Sequence, residues 1–451
     1  MTLPRQQLFS NRALAKLIIP LIFEQILAVF VGMADSIMVS SVGEAAISGV
    51  SLVDNISGVV LNLLAALAAG GGIVTSQLIG ACNYDRARRS AGQNITMTVG
   101  VSLAISALCL IFSRQIISLF FGHIAQDVMD ACLIYMFYQA ISFPFLGLYS
   151  AGAAILRAGG NTKTAFYVSL LRNAVNICGN ALCIYGLKMG VAGVAIPTAL
   201  SRVVGSIAIM AAVNKSKESL HPTKGDIIHI SPKLMTRMFR VGMPTALENS
   251  FFQMGRVFTL SMISLHGTTQ IAANATAAQL TGFVCTVTVA LRTASMTIIG
   301  QCVGAHNTEQ INTNYKKLMF LSYAFNGVGS IIMVLLRYPL LGLYQSLSPA
   351  TVNLAAELMC IHLLPSILLY PLSFLITGPL RAANDSVFPM WVSILSMAIF
   401  RLSLAQILCV NLGWGAPGVW WAMVADWVCR SVCFTWRWHS GAWKKHCKMI
   451  D

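Results

Sequence analysis

Charge is what this chain has least of. Only 10% of its 451 residues are charged, against about 25% in a typical soluble domain. Acids are scarcest, with 15 Asp and Glu beside 30 Lys and Arg. A soluble protein that is 56% hydrophobic could not cover its surface with polar groups. A mean hydropathy of +0.72 points the same way, so the expected solvent is a bilayer. Catalytic signatures are also missing: there is no GxSxG, no HExxH and no Walker A. The string GGNTKT (159–164) lacks the GK pair of a phosphate loop and reads as a connection between two spans. Nothing therefore favours a membrane-embedded enzyme. None of the twelve Cys forms a CxxC pair. Cys178/Cys183 and Cys429/Cys433 read as buried small hydrophobes, and no disulfide framework is expected. His439, His446 and Cys447 read as part of a basic tail rather than a metal site. The first apolar run is long, follows Arg5 and Arg12 and has no small-residue cleavage site, so it is expected to remain as a span.

What is present is a succession of apolar runs. A helix needs about 20 apolar residues to cross the hydrocarbon core. Such runs lie near 14–38, 47–74, 93–112, 129–154, 164–185 and 191–213, then near 239–264, 271–298, 318–336, 351–378, 387–409 and 415–436. With the N-terminus in the cytoplasm, inside regions hold 21 basic residues: Arg5, Arg12, Lys16, Arg86, Arg88, Arg89, Arg157, Lys163, Lys215, Lys217, Lys224, Lys233, Arg237, Arg240, Lys316, Lys317, Arg381, Arg437, Lys444, Lys445 and Lys448. Outside loops hold only Arg114, Lys188 and Arg337. Positive charge retained on the cytoplasmic side is a topology signal, so the net charge of +15 implies no nucleic-acid partner.

Sliding the chain against itself by 224 positions brings Pro20 and Glu24 onto Pro244 and Glu248, and Gly43 and Ile47 onto Gly267 and Ile271. QLIGACN (77–83) meets QCVGAHN (301–307), and LRAGGNT (156–162) meets LRAANDS (380–386). The expected fold is all-α and integral to the membrane, with twelve transmembrane helices in two pseudo-symmetric six-helix lobes. The lobes are parallel repeats, expected over 1–213 and 239–436, with a cytoplasmic linker at 214–238 and a cytoplasmic tail at 437–451. Two such halves around a shared cavity suit alternating access.

Ionisable groups at bilayer depth are costly and mark function by default. The acids are Glu24, Asp35, Asp54, Glu248 and Asp426; the bases are Arg172, Arg202, Arg256, Arg292, Arg401 and Arg430. Glu24 and Asp35 are eleven residues apart and share one helical face. Arg172, Asn176 and Asn180 form a stripe at spacing four, as do Thr198 and Arg202. Asp426 and Arg430 read as a structural ion pair, Asp54 lies near an outer helix end, and Arg292 and Arg401 carry no expected role. A carboxylate in apolar surroundings can carry a proton near neutral pH. The same carboxylate among amide and hydroxyl oxygens can hold a hard cation such as sodium. Asp35, Asn176, Asn180 and Thr198 would supply those oxygens if the first, fifth and sixth spans converge. Glu24, Glu248, Arg172, Arg202, Arg256 and Gln253 are the candidates for a coupling or substrate cavity.

Five stretches carry a family resemblance: PLIFEQILAVFVGMADSIMVSSVGEAAISGVS (20–51), TSQLIGACN (75–83), ILRAGGNTK (155–163), GMPTALENSFFQMGR (242–256) and GQCVGAHN (300–307). In their order, spacing and duplication the chain resembles the bacterial branch of the multidrug and toxic compound extrusion (MATE) transporters over essentially its full length. The resemblance implies twelve helices in two lobes and efflux driven by sodium or proton entry. It gives the Asp of GMADSIM, Asp35, a central part in cation binding. Relatives with a sodium site add an Asn and an Asp four apart on the fifth helix and a Thr eighteen residues later. Asn176, Asn180 and Thr198 keep that spacing, with Asn180 standing where those relatives carry an acid. Other relatives use an acid on the seventh helix, and Glu248 is similar to it, with Glu24 as its repeat partner.

The function expected is secondary active export of cationic or amphiphilic small molecules by sodium- or proton-coupled antiport. The rival is a lipid-linked precursor flippase, or an exporter of one specific metabolite on the same architecture. No cofactor is expected beyond the coupling ion. Expected partners are small organic substrates and membrane lipids, for a monomer in the bacterial inner membrane with both termini cytoplasmic. Met and Phe abundance suits an adaptable apolar surface.

Overall fold

The computed structural model describes residues 8–42, 44–122, 125–216, 220–344 and 347–447. Arg5, Gly43, Lys217 and Lys448, used in the sequence reading, lie outside the described residues, and so does the side chain of Ile47. Twelve long helices run in the order α1 (Asn11–Ser40), α2 (Glu44–Gly80), α3 (Tyr84–Ile111), α4 (Gln126–Ala158), α5 (Thr162–Ala181, prolonged by a wider turn at Leu182–Gly186) and α6 (Ala192–Asn214), then α7 (Pro232–Ser264), α8 (Thr268–Gly304), α9 (Thr308–Leu335), α10 (Pro349–Ala382), α11 (Val387–Asn411) and α12 (Ala416–His439). This is the all-α membrane architecture of twelve spans in two six-helix lobes. Each expected apolar run falls on one of these helices.

Nine of the helices are long and apolar enough to cross a membrane on composition alone, among the described residues. The other three are α5, α7 and α12. They carry several of the polar candidates: Arg172, Asn176 and Asn180 on α5, Glu248 and Arg256 on α7, Asp426 and Arg430 on α12. Polar groups kept for function lower the hydropathy of the spans that carry them.

The repeat extends to the turns. Asn83 caps α3 by accepting from the Arg86 N–H, and Asn307 caps α9 by accepting from the Gln310 N–H. An Asn side chain at this position satisfies an orphan donor of the first turn. The residues before these caps, Cys82 and His306, both adopt left-handed backbone, at φ 57° and 52°. Gly160 at φ 81° and Asn384 at φ 66° form a second pair in the same register. Asn161, next to Gly160, caps α5 through the Thr164 N–H.

By packing, the chain divides into two compact units, one formed by Asn11–Ala246 and the other by Met1–Ser10 with Leu247–Asp451. The division falls within α7, beyond the expected linker, and the reason is visible. Linker residues Lys224–Ile228 form a short helix started by a reciprocal Thr223–Asp226 capping box. It is pinned to α3: Arg88 Nε donates to Asp226 Oδ2 at 3.0 Å, Gln93 Nε2 donates to the Asp226 and His229 carbonyls at 2.7 and 2.9 Å, and Thr96 donates to the Ile227 carbonyl at 2.6 Å. Burial alone would raise the Asp226 carboxyl, but hydrogen bonds from Thr223 and the Arg88 guanidinium together hold it below its ordinary value.

Within the first unit, buried Val53, Leu64, Met136 and Phe143 form part of a core between α2 and α4. The start of α7 belongs to this unit, and a side chain at Gly70 would come within 2.8 Å of the Gly242 backbone. Lipid tails offer no hydrophobic drive for helix association, so close backbone approach at small residues does that work. In the second unit Tyr370, Trp420, Trp427 and Met359 anchor a core of α8, α10 and α12. The tail continues as a short helix at Ala442–His446, with Trp443 stacked 4.6 Å from Trp438.

All twelve cysteines are free. Cys178 is exposed and Cys183, Cys429 and Cys433 are half-buried, which corrects the expectation that they are buried. Cys178 is two residues from both Asn176 and Asn180, so helical geometry turns it to the opposite face of α5. Of the tail residues weighed as a metal set, His446 lies 3.2 Å from Arg437 and 3.9 Å from Asp385, and the Cys447 thiol donates to the Trp443 carbonyl at 3.9 Å.

Candidate functional site

Asp35 sits half-buried near the end of α1, and the spacing of four on α5 turns Asn176 and Asn180 toward it. Asn180 Nδ2 donates to Asp35 Oδ1 at 3.0 Å. With its amide nitrogen facing the carboxylate, Asn176 donates to both Asp35 oxygens at 3.0 and 3.2 Å, while its oxygen faces Thr198 Oγ1 at 3.2 Å. Asn176 and Asn180 are 6% and 1% exposed. The first, fifth and sixth helices thus bring Asp35, Asn176, Asn180 and Thr198 to one point. Among the described residues the Asn180 oxygen is buried there with no hydrogen-bond partner. A carboxylate, two amides and a hydroxyl, one with an unmet oxygen, form an oxygen-rich set of the kind hard cations select. Turning either amide about its last bond presents oxygen in place of N–H.

The remaining polar residues of this unit form two other groups. Tyr135 donates to Asp54 Oδ1 at 3.0 Å, and Asp54 keeps an exposed surface. Buried Arg202 donates to Ser142 at 2.6 Å and lies in the field of Asp54. Arg172 covers the Tyr149 ring at 4.6 Å and reaches Asn173 at 3.5 Å. It shares the α5 stripe but not the Asp35 cluster.

Glu24 lies three turns before Asp35, about 16 Å along the helix at 1.5 Å per residue. It has a different partner, Arg157 at the end of α4, whose Nη2 donates to Oε1 at 2.6 Å. In the second unit Arg381 Nη2 donates to Glu248 Oε2, also at 2.6 Å. Both pairs span 133 residues, and each member lies 224 positions from its counterpart. Arg157 and Arg381 were counted as loop charges in reading the orientation. Both lie in the last turn of a helix and not in a loop, and both are committed to acids, Arg381 at 2% exposed.

Glu248 also accepts from Ser393 at 2.8 Å and lies 3.5 Å from Arg430. Asp426 accepts from Ser396 at 2.6 Å, with Arg401 and Arg430 at 3.9 and 4.0 Å. The expected Asp426–Arg430 pair is therefore one edge of a larger network, and Arg401, given no role from sequence, belongs to it. Arg256 is exposed and Gln253 half-buried on α7. Neither bonds to the acid clusters among the described residues. Sequence reasoning missed Arg157, Arg381, Ser393, Ser396 and Tyr135 as partners. The signal for the two arginines was on hand, since LRAGGNT and LRAANDS align at the same offset as Glu24 and Glu248.

The MatE family model matches residues 20–182 and 244–407, once in each half. An uncharacterized transporter of Bacillus subtilis, YisQ, is 26% identical over 97% of this chain and 98% of its own length. A probable multidrug resistance protein NorM of Thermotoga maritima is 27% identical over 98% and 95%. Among solved structures, an outward-facing multidrug resistance MATE family transporter of the MOP superfamily superposes with a TM-score of 0.89 at 21% identity, covering 96% of both chains.

Proposed function

The chain belongs to the MatE family of multidrug efflux transporters, and from that premise we propose that it exports amphiphilic small organic molecules in exchange for sodium or protons entering through the Asp35 cluster. The observation that carries this reading is the convergence of Asn180, Asn176 and Thr198 on one intramembrane carboxylate. A half-buried acid at this depth gains from an entering cation part of what it has lost in hydration. Asp35 would hold the ion, and the amide oxygens of Asn176 and Asn180 with Thr198 Oγ1 would complete its shell. A proton would reside on Asp35 itself. Release of the Asn180 and Asn176 N–H bonds from the carboxylate would then accompany ion entry. That exchange is the local event a conformational change could follow.

Of the candidate acids Glu24, Asp35 and Glu248, the two glutamates are compensated by arginines, which leaves Asp35 as the main cation-attracting group. The paired glutamates support a bracing part, holding the start of each repeat to the end of its fourth helix. One chain supplies both lobes, which supports a monomer. The excess of inside basic residues supports cytoplasmic termini in a bacterial inner membrane.

The test is substrate flux from proteoliposomes under an imposed sodium gradient or an imposed proton gradient, each alone. Export driven by one of them identifies the coupling ion. Export that responds to neither, in protein that binds the same dye, would remove the antiport reading.

A further inference from the structure

Membrane-depth charge is divided unevenly between the repeats. In α1–α6, Glu24, Asp35 and Asp54 face Arg157, Arg172 and Arg202, which balances. In α7–α12 the acids Glu248, Glu357 and Asp426 stand against five bases, Arg256, Arg292, Arg381, Arg401 and Arg430. Arg381 is matched by Glu248 at 2.6 Å, and Arg430 lies 3.5 Å from the other oxygen of the same Glu248, so one acid serves two arginines; Arg401 and Arg430 are less closely matched by Asp426. Each stands at 3.9 to 4.0 Å from Asp426 Oδ2, beyond hydrogen-bond reach. Among the described residues, the Nε and Nη1 of Arg430, which is 2% exposed, are buried with no hydrogen-bond partner, and so is the Nε of Arg401, which is 9% exposed.

The faces of both guanidiniums are already covered. Arg401 lies 4.9 Å from the Phe252 ring centre and Arg430 lies 4.7 Å from that of Phe374. Stacking fixes the planes and leaves the N–H edges as the polar outlet, the geometry with which Arg takes a planar carboxylate. Buried guanidiniums with unmet donors are strongly disfavoured in a low-dielectric setting unless an acceptor completes them.

We propose that the second unit holds an anion-binding site at Arg401 and Arg430, suited to a monoanion such as the carboxylate of an aromatic molecule. The excess of positive charge sets the sign of the ligand. Phe252 and Phe374 supply an apolar wall for a ring carried beside the charge. Asp426 opposes the anion and keeps the site from closing as a saturated ion-pair network. Taken with the export reading, on which this part rests, the transported class includes acidic or zwitterionic amphiphiles as well as cations.

Binding is measured on the purified full chain in nanodiscs without any gradient, by calorimetry, with benzoate, chloride and benzylammonium as probes. Wild type is expected to bind benzoate saturably and to ignore benzylammonium at the same site. Competition by chloride would assign the site to anions in general; indifference to chloride would assign it to organic carboxylates, and both support it. Arg401→Gln is expected to weaken benzoate by about tenfold or more, the scale of one lost charged hydrogen bond. Asp426→Asn is expected to tighten benzoate by several-fold, a change of sign that general damage to the lobe would not produce. No saturable anion binding by wild type, or Asp426→Asn binding no tighter than wild type, would overturn the site. Repeating the measurement in Asp35→Asn protein separates this inference from the antiport reading, since Asp35 belongs to the other unit.

Discussion

At the scale of the residue, the two glutamate–arginine pairs show how one sequence feature acquires different weight in its two copies. Arg381 has 2% of its side chain exposed and Arg157 has 25%. Removing one partner of a fully buried pair strands a charge and costs about 3–5 kcal/mol, whereas water can rescue a partly exposed one. Glu248→Gln should therefore lower the thermal midpoint in detergent clearly more than Glu24→Gln does. The double change of Glu248→Gln with Arg381→Gln should recover part of the loss, read as coupling in a double-mutant cycle. Equal loss from both single changes would show that burial does not govern the pairs. Sequence reading found the glutamates because an acid inside an apolar run stands out. It passed over the arginines because each lies at a helix end, where a basic residue reads as a cytoplasmic anchor. The ambiguity is physical: the same position serves both purposes, and only the fold decides. Asp35 was legible together with its partners, because spacing of four puts Asn176 and Asn180 on one face of α5 and the interval of eighteen to Thr198 matches the pattern of the relatives the chain resembles. Which faces meet depends on helix packing, which no spacing encodes.

At the scale of the element, the twelve spans were readable from apolar run length, including α5, α7 and α12, whose polar content lowers their hydropathy. What the runs could not give was the fate of the linker. Its attachment to α3 depends on Gln93 and Thr96 reaching backbone carbonyls of Asp226, His229 and Ile227, and carbonyls leave no trace in a sequence pattern. Thr223→Ala should cost about 1 kcal/mol of local stability, the usual worth of an N-cap, seen as faster proteolysis of the 220–231 segment with the spans intact. Asp226 adds a pH dependence. Its folded carboxyl is held below the ordinary 3.8, so its contribution is present above that value and fades as pH falls below it. Protection of this segment should drop on acidification and should lose that dependence in Asp226→Asn. The α2–α7 contact gives a steric counterpart. Gly70→Val would drive a side chain into the Gly242 backbone, 2.8 Å from the added Cβ, and overpacking of this kind costs about 1–3 kcal/mol. A lowered thermal midpoint is expected, and an unchanged one would mean the helices part without penalty.

At the scale of the whole molecule, duplication explains why the chain reads so clearly and where the reading stops. The offset of 224 residues recurs in acids, caps and left-handed turns, so the architecture is stated twice. Function enters where the copies differ. Asp35 has Thr259 at its equivalent position, and Asn180 has Leu404, so the oxygen-rich cluster exists once, in the first unit. Asp426 and its arginines have no acid counterpart, since, with Gly190 and Gly193 in register with Gly415 and Gly418, Asp426 falls opposite Ser201. Breaking the repeat has left one half with a lone carboxylate among oxygens and the other with an excess of guanidinium. A transporter can use such a division, because an ion site in one half and its charge-inverted opposite in the other need not compete for the same ligand. The most direct test of the central claim is dye efflux from proteoliposomes under the active ion gradient, comparing wild type with Asp35→Asn at equal, verified incorporation. Gradient-driven efflux should fall to the protein-free background in the variant while its melting curve stays close to wild type. Undiminished efflux by Asp35→Asn would contradict the account.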